Sequence, residues 1–86
     1  MHYVYILRSL SSPEQIYVGC TEDIAKRLSN HNSGTTPHTE KYRPWKVVTL
    51  IGFEDKARAI DFEEYLKSGS GRAFRDKRLI TPHRLS

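Results

Sequence analysis

The 86-residue sequence has one cysteine, one methionine and one tryptophan, and no long uninterrupted apolar run. A lone thiol, Cys20, excludes an intramolecular disulfide framework and any CxxC or Cys/His zinc spacing, which favours a reducing compartment. No segment approaches the ~20 apolar residues needed to cross a bilayer, so no membrane partner is expected. The N-terminal MHYVYILRSL also lacks the charged lead and apolar block of a secretory leader. The expected location is therefore the cytoplasm. There is no internal repeat and no linker-like stretch, and half of so short a chain could not bury enough apolar surface to offset its ordering entropy. The expectation is a single domain over residues 1–86, with its core at about 3–80.

What is present suits a small globular fold. Apolar residues make up 37% and charged residues 28%, within the range of soluble domains. Lys and Arg outnumber Asp and Glu by 14 to 10, giving a net charge of +4 and a pI near 9.4. That bias favours polyanionic partners, nucleic acid above all, although charge alone is weak evidence.

Tyr3 to Arg8 and Gln15 to Gly19 are rich in β-branched and aromatic residues and flank a Ser-Ser-Pro turn, which predicts a β-hairpin. Alternation puts Val4, Ile6, Ile16 and Val18 on one face, and Tyr3, Tyr5, Leu7 and Tyr17 on the other. A turn centred on Ser11 or Ser12 brings Tyr5 opposite Tyr17. Thr21 is placed to cap a helix that Gly34 ends. Its inward stripe, Ile24, Arg27, Leu28 and His31, is half polar, which a purely structural helix would avoid. Residues 35–44 read as a basic loop. Trp45 to Phe53 reads as a strand with Val47, Ile51 and Phe53 against Val48 and Leu50, and Trp45 itself as a core residue rather than a base-stacking platform. Asp55 caps a second helix, with Gly69 at its stop. On that helix Ala59, Phe62 and Leu66 form the buried arc, Glu63 sits within or beside it, and Glu64 faces solvent. Ser70 to Ile80 predicts a short third helix that packs Phe74, Leu79 and Ile80 ahead of a frayed tail. The expected class is α/β (α+β): a small, mainly antiparallel three-stranded sheet flanked by helices, in the order β-β-α-β-α-α.

Each polar candidate has an ordinary reading from spacing alone. Glu63 can pair with Lys67 at i+4 on the helix surface. Arg27 can bridge to Glu22 or Asp23, His31 can be a buried structural histidine, and Tyr5 and Tyr17 can be cross-strand packing partners. Gly19 permits a close backbone approach beside Tyr17. Cys20 has no evident role.

The tripeptides Tyr3-Val4-Tyr5 and Tyr17-Val18-Gly19, followed at a set distance by Arg27 and His31 and then by the segment FEEYLKSGSGRAF at 62–74, resemble the motifs of the GIY-YIG endonuclease family. The resemblance spans nearly the whole chain, and several motifs in order at the right distances are far more specific than any one. Tyr3-Val4 stands where the family has Gly-Ile, Val18 stands for Ile, and no Asn follows Asn32 where many members carry one late in the domain.

The resemblance implies a nuclease that hydrolyses a phosphodiester, of DNA more than RNA, with one Mg²⁺ or Mn²⁺ held by Glu63. It implies that Arg27 clamps phosphate and that Tyr5, Tyr17 and His31 arrange the attacking water, Tyr5 being the better candidate to deprotonate it. Lys41, Arg43, Lys67, Arg72, Arg75, Lys77 and Arg78 are candidates for phosphate contacts, a salt-sensitive and sequence-independent mode of binding. With no added recognition module, weak sequence preference is expected, with a protein partner as the candidate source of specificity. The missing late asparagine motivates the alternative of a binding module that keeps the fold and cuts slowly or not at all.

Overall fold

The computed structural model describes residues 1–82. Strand β1, His2–Ser9, pairs antiparallel with β2, Ile16–Thr21, through the Ser-Ser-Pro turn, and on its other side with β3, Trp45–Phe53, giving the sheet order β2-β1-β3. The hairpin register sets Tyr5 opposite Gly19 and Leu7 opposite Tyr17, so the two tyrosines are diagonal neighbours rather than the directly facing pair a Ser11-centred turn would give. Gly19 consequently serves Tyr5: a Cβ at Gly19 would collide with the Tyr5 hydroxyl and Cζ.

Gly19→Ala is therefore expected to destabilise the protein by about 1–3 kcal/mol through overpacking, read as a drop of ~4 °C or more in thermal midpoint for a domain of this size. An unchanged midpoint would mean that the Tyr5 ring moves aside freely.

Helix α1, Ile24–Ser33, and the short α2, Pro37–Glu40, occupy the Tyr5 face of the sheet. There Tyr5, Leu7 and Trp45 are buried with Tyr17, Ile24, Leu28, Tyr42 and Val47 packed around them. The opposite face buries Val4, Ile6 and Val18 against Ala59 and Leu66 of α3, Lys56–Lys67, with Leu79 and Ile80 closing the end beyond α4, Gly69–Arg78. Phe74 stays partly exposed, its ring edge-on to Phe62 at a 6.4 Å centroid distance. The result is a three-layer arrangement with the sheet in the middle.

Four local expectations are corrected. Asp23, not Thr21, caps α1: its carboxylate accepts from the Lys26 N–H, while the Thr21 hydroxyl accepts from Asp23 N–H in the turn before it. Ser68, not Gly69, ends α3, and it also caps α4, where its hydroxyl accepts from Gly71 N–H; Gly69 is already the first helical residue. Residues 35–44 contain α2, for which Pro37 in the first turn after Thr36 is a recognisable start signal. A β-bulge between Ile6/Thr49 and Leu7/Val47 leaves Val48 as the extra residue, so Val47 joins the Tyr5 face while Val48 and Phe53 join the other. The remaining expectation, fraying of the tail, falls from residue 83 onward outside the described residues.

The turn into β3 is held by Asn32, whose side chain bonds both backbone groups of Trp45: Oδ1 accepts from Trp45 N–H at 2.6 Å and Nδ2 donates to Trp45 C=O at 3.1 Å. The Trp45 indole N–H donates to the Thr39 carbonyl at 2.8 Å. Together these tie α1 and α2 to the sheet. Gly34, with φ of 84°, provides the left-handed C-cap that lets the chain leave α1. Among the described residues no helix is long and apolar enough to cross a membrane.

Candidate active site

The polar side of α1 faces the sheet, as its stripe implied. His31 is 1% exposed, and its Nε2 lies 3.0 Å from the Tyr5 hydroxyl, which is itself on a fully buried residue. His31 Nδ1 lies 2.7 Å from Thr39 Oγ1. The roles in this chain follow from satisfaction of buried groups. Among the described residues, the only acceptor for the Tyr5 hydroxyl proton is His31 Nε2. The ring proton therefore sits on Nδ1 and is donated to Thr39 Oγ1, whose own hydroxyl can donate to the Thr36 carbonyl at 3.3 Å. Thr39 lies in the stretch expected to be loop, and nothing in sequence spacing marked it as the partner of His31.

Tyr17 is partly exposed and completes an aromatic group, with ring centroids 4.9 Å from His31 and 6.3 Å from Tyr5. Burial, with a smaller contribution from Tyr17, pushes the Tyr5 phenol up to about 12, and Arg27 partly opposes the rise. Burial, then the neighbouring Arg27 charge, holds His31 below its ordinary value. The pair therefore rests as neutral phenol and neutral imidazole at neutral pH.

Glu63 arrives from the other layer. It projects from α3 on the Val4 face, so the site does not lie wholly on the tyrosine face; it wraps around the exposed edge of β2. Two groups locate the convergence. Tyr5 and Cys20 both feel Arg27 and Glu63: burial and Glu63 raise the Cys20 thiol, while Arg27 and Lys56 lower it. Arg27 and Glu63 are thus carried on helices that cover opposite faces of the sheet, and both charges act on Tyr5 and Cys20.

The pair expected from helical spacing does form, with Lys67 Nζ 3.1 Å from Glu63 Oε2 and the Glu63 side chain 20% exposed. The bridge from Arg27 to Glu22 or Asp23 does not appear among the described residues; Glu22 instead meets His2 at 3.2 Å. Arg27 lines an open cleft of about 550 Å³ together with Cys20, Asp23, Lys26, Asn30 and Lys56. Lys26 and Lys56 add positive charge there and were not singled out from sequence. Their proximity depends on the α1 and α3 starts meeting at the β2 edge.

Among the described residues no three His, Cys, Asp or Glu side chains are placed to hold a metal ion together, so an ion at Glu63 would rest on one or two protein ligands. That donor set does not suit zinc, which takes three or four protein ligands. It suits a hard ion such as Mg²⁺, which keeps several waters and is completed by substrate phosphate.

The basic candidates do not form one stripe. Lys41, with Nζ 5.5 Å above the Tyr42 ring, and Arg43, beside Gly34, lie on the α1/α2 layer. Lys67 is engaged with Glu63, and Arg75 with Asp76 at 2.9 Å. Arg72, Lys77 and Arg78 are exposed on α4, across the sheet from the tyrosines.

A family model described as the GIY-YIG catalytic domain matches residues 1–77. The chain is similar to the structure-specific endonuclease subunit slx1 of Talaromyces marneffei, with 42% identity over 65 residues, covering 69% of this chain and 17% of that protein. It is likewise similar to the structure-specific endonuclease subunit SLX1 of Candida dubliniensis, with 39% identity over 71 residues, 74% of this chain and 25% of the relative. The chain thus spans a quarter or less of the length of these relatives. Among solved structures it resembles the solution structure of a UPF0213 protein from Bacillus halodurans, with a TM-score of 0.52 and 32% identity, over 86% of this chain and 78% of that one. On a family match that takes in both tyrosine tripeptides, Arg27, His31 and Glu63, the chain belongs to the GIY-YIG catalytic domain family.

Proposed function

We propose that the protein is a metal-dependent endonuclease that hydrolyses phosphodiesters, of DNA in preference to RNA, with little sequence preference of its own. The observation that carries this reading is the buried Tyr5–His31 hydrogen bond of 3.0 Å, which lies in the field of both Arg27 and Glu63. An unperturbed phenol is already a poor base at neutral pH, and at about 12 only about 1 in 10⁵ Tyr5 side chains would be ionised at pH 7. Tyr5 therefore works as a relay: it takes a proton from the attacking water as it passes its own to His31 Nε2, and no tyrosinate accumulates. Thr39 holds the tautomer that makes Nε2 the receiving atom. Arg27 moves onto the substrate phosphate and neutralises charge developing there. The partly exposed Tyr17 positions phosphate or water. Mg²⁺ or Mn²⁺, held by Glu63, would stabilise the leaving oxygen. The relatives' designation as structure-specific endonuclease subunits supports branched or flapped substrates and a partner chain that selects them.

The test is cleavage of labelled duplex, branched and single-stranded DNA and RNA, with Mg²⁺, Mn²⁺ or a chelator, from pH 5 to 8. Cutting is expected with metal only, and DNA is expected to be cut faster than RNA. Because His31 is held below its ordinary 6.5, its neutral, proton-accepting form persists through neutral pH. The rate should fall only on acidification, as His31 becomes protonated. Folded protein that binds nucleic acid in a salt-sensitive way but cuts under none of these conditions would replace the enzyme with a binding module.

A further inference from the structure

A second concentration of positive charge lies at the other edge of the sheet. Arg8 of β1 is paired directly with Lys46 of β3, two like charges side by side on the α4 face. Such cross-strand pairs destabilise a sheet unless something neutralises them. The Arg8 Nε is buried and has no hydrogen-bond partner among the described residues. A buried donor left without a partner destabilises the fold unless a ligand satisfies it. Arg78, at the end of α4, completes the lining of an open groove of about 620 Å³ with Arg8, Lys46, Val48, Ile80 and Thr81. Among the described residues no carboxylate lines that groove, and neither Lys46 nor Arg78 is in an ion pair. Glu14 and Asp76 lie on the far side of Arg8, in a separate depression, and neither reaches it within ion-pair distance. Arg78 also offsets the dipole at the α4 C-terminus, but that role explains neither the facing Arg8–Lys46 pair nor the orphaned Nε.

We propose that Arg8, Lys46 and Arg78 form a second phosphate-binding site that holds a separate arm of a branched nucleic acid while the Tyr5 site engages the strand to be cut. The inference rests on the nuclease reading for its substrate. The two sites face opposite edges of the sheet, β2 and β3, and Arg8 lies three residues along β1 from Tyr5. At ~3.3 Å per residue and ~4.8 Å between strands, they are roughly 15 Å apart. The groove opens on the α4 face of the sheet and the Tyr5–His31 pair lies on the α1 face, so a straight duplex laid on one face does not follow onto the other, whereas two arms diverging from a branch can.

The experiment measures binding of the whole chain, without divalent metal, to a three-armed DNA and to a linear duplex of equal total length, over a range of salt. It compares wild type with the double variants Lys46→Glu/Arg78→Glu and Lys46→Gln/Arg78→Gln. Both positions are exposed, and matching thermal midpoints would show that the fold is kept. The expected result is tighter wild-type binding to the three-armed DNA. The variants should lose about tenfold or more on it, with the salt slope reduced by about 1.8 for two lost phosphate contacts, and should change linear-duplex binding little. Equal weakening on both DNAs, or none on either, overturns the proposal. Because this readout needs no cleavage, failure of the nuclease reading would appear separately, as an intact arm preference in a protein that does not cut.

Discussion

Glu63→Gln is expected to lower kcat by about three orders of magnitude or more, because removing the anionic oxygen removes metal stabilisation worth several kcal/mol in the transition state. Binding to nucleic acid without metal should remain within about twofold of wild type. The fold should also be unaffected. The partner lost is Lys67, which is 51% exposed, and exposed i,i+4 pairs contribute only ~0.3–0.5 kcal/mol. Raising Mg²⁺ or Mn²⁺ should restore part of the rate if the amide oxygen still coordinates weakly. A folded Glu63→Gln protein that cuts at more than about a tenth of the wild-type rate would show that the Lys67 pair is the whole role of this residue. The variant thus separates the two readings that helical spacing left open, since the ion pair does form and the carboxylate nonetheless faces the same β2 segment as Arg27.

Much of this site could be read from residue order because period-3.6 and period-2 patterns fix which side chains share a face. The half-polar stripe of α1 pointed Arg27 and His31 at the sheet, and the buried arc of α3 placed Glu63 inward; both placements hold. The limits of β3 follow from its run of β-branched and aromatic residues after Pro44. What the sequence hid depends on register and on tertiary approach. A difference of one residue in turn centre decides whether Tyr5 faces Tyr17 or Gly19, and only the second leaves room for its hydroxyl. A bulge reverses the facing of Val47 relative to Phe53, which no regular alternation can signal. Thr39 meets His31 only because α2 folds back beneath α1, eight residues on. The crossing of Glu63 from the opposite layer is likewise a property of the β2 edge and not of any one segment.

The basic residues show the same division. Their number was evident, but their grouping was not. Arg75 is tied to Asp76, Lys67 to Glu63, and the basic groove instead joins Arg78 to Arg8 and Lys46, two residues that charge counting along the chain gave no reason to combine. Contacts that position a polyanion are set by which edges of the sheet remain open, and that is decided by where α3 and α4 pack.

Tyr5→Phe is expected to lower kcat by about 10²–10⁴, the usual range for loss of a positioned proton-transfer group, with KM changed little because the phenol acts on the attacking water and not on the bound phosphate. The substitution keeps the ring that packs beside Leu7 and Trp45 and removes one oxygen. It strands the His31 Nε2 that accepted from it, at a cost of about 1–3 kcal/mol in stability. Tyr17→Phe provides the contrast. Tyr17 is partly exposed and, among the described residues, its hydroxyl is not hydrogen-bonded to the Tyr5–His31 pair, so its loss should act mainly on KM. The acid limb of the pH profile adds a second discrimination: in wild type it reports neutral His31 taking the proton through Tyr5, and in Tyr5→Phe the residual rate should lose that dependence because His31 no longer connects to the water. If Tyr5→Phe stayed within tenfold of wild type and Tyr17→Phe fell further, the relay would run through the exposed phenol instead. The 3.0 Å Tyr5–His31 bond would then serve only to pin α1 to the sheet.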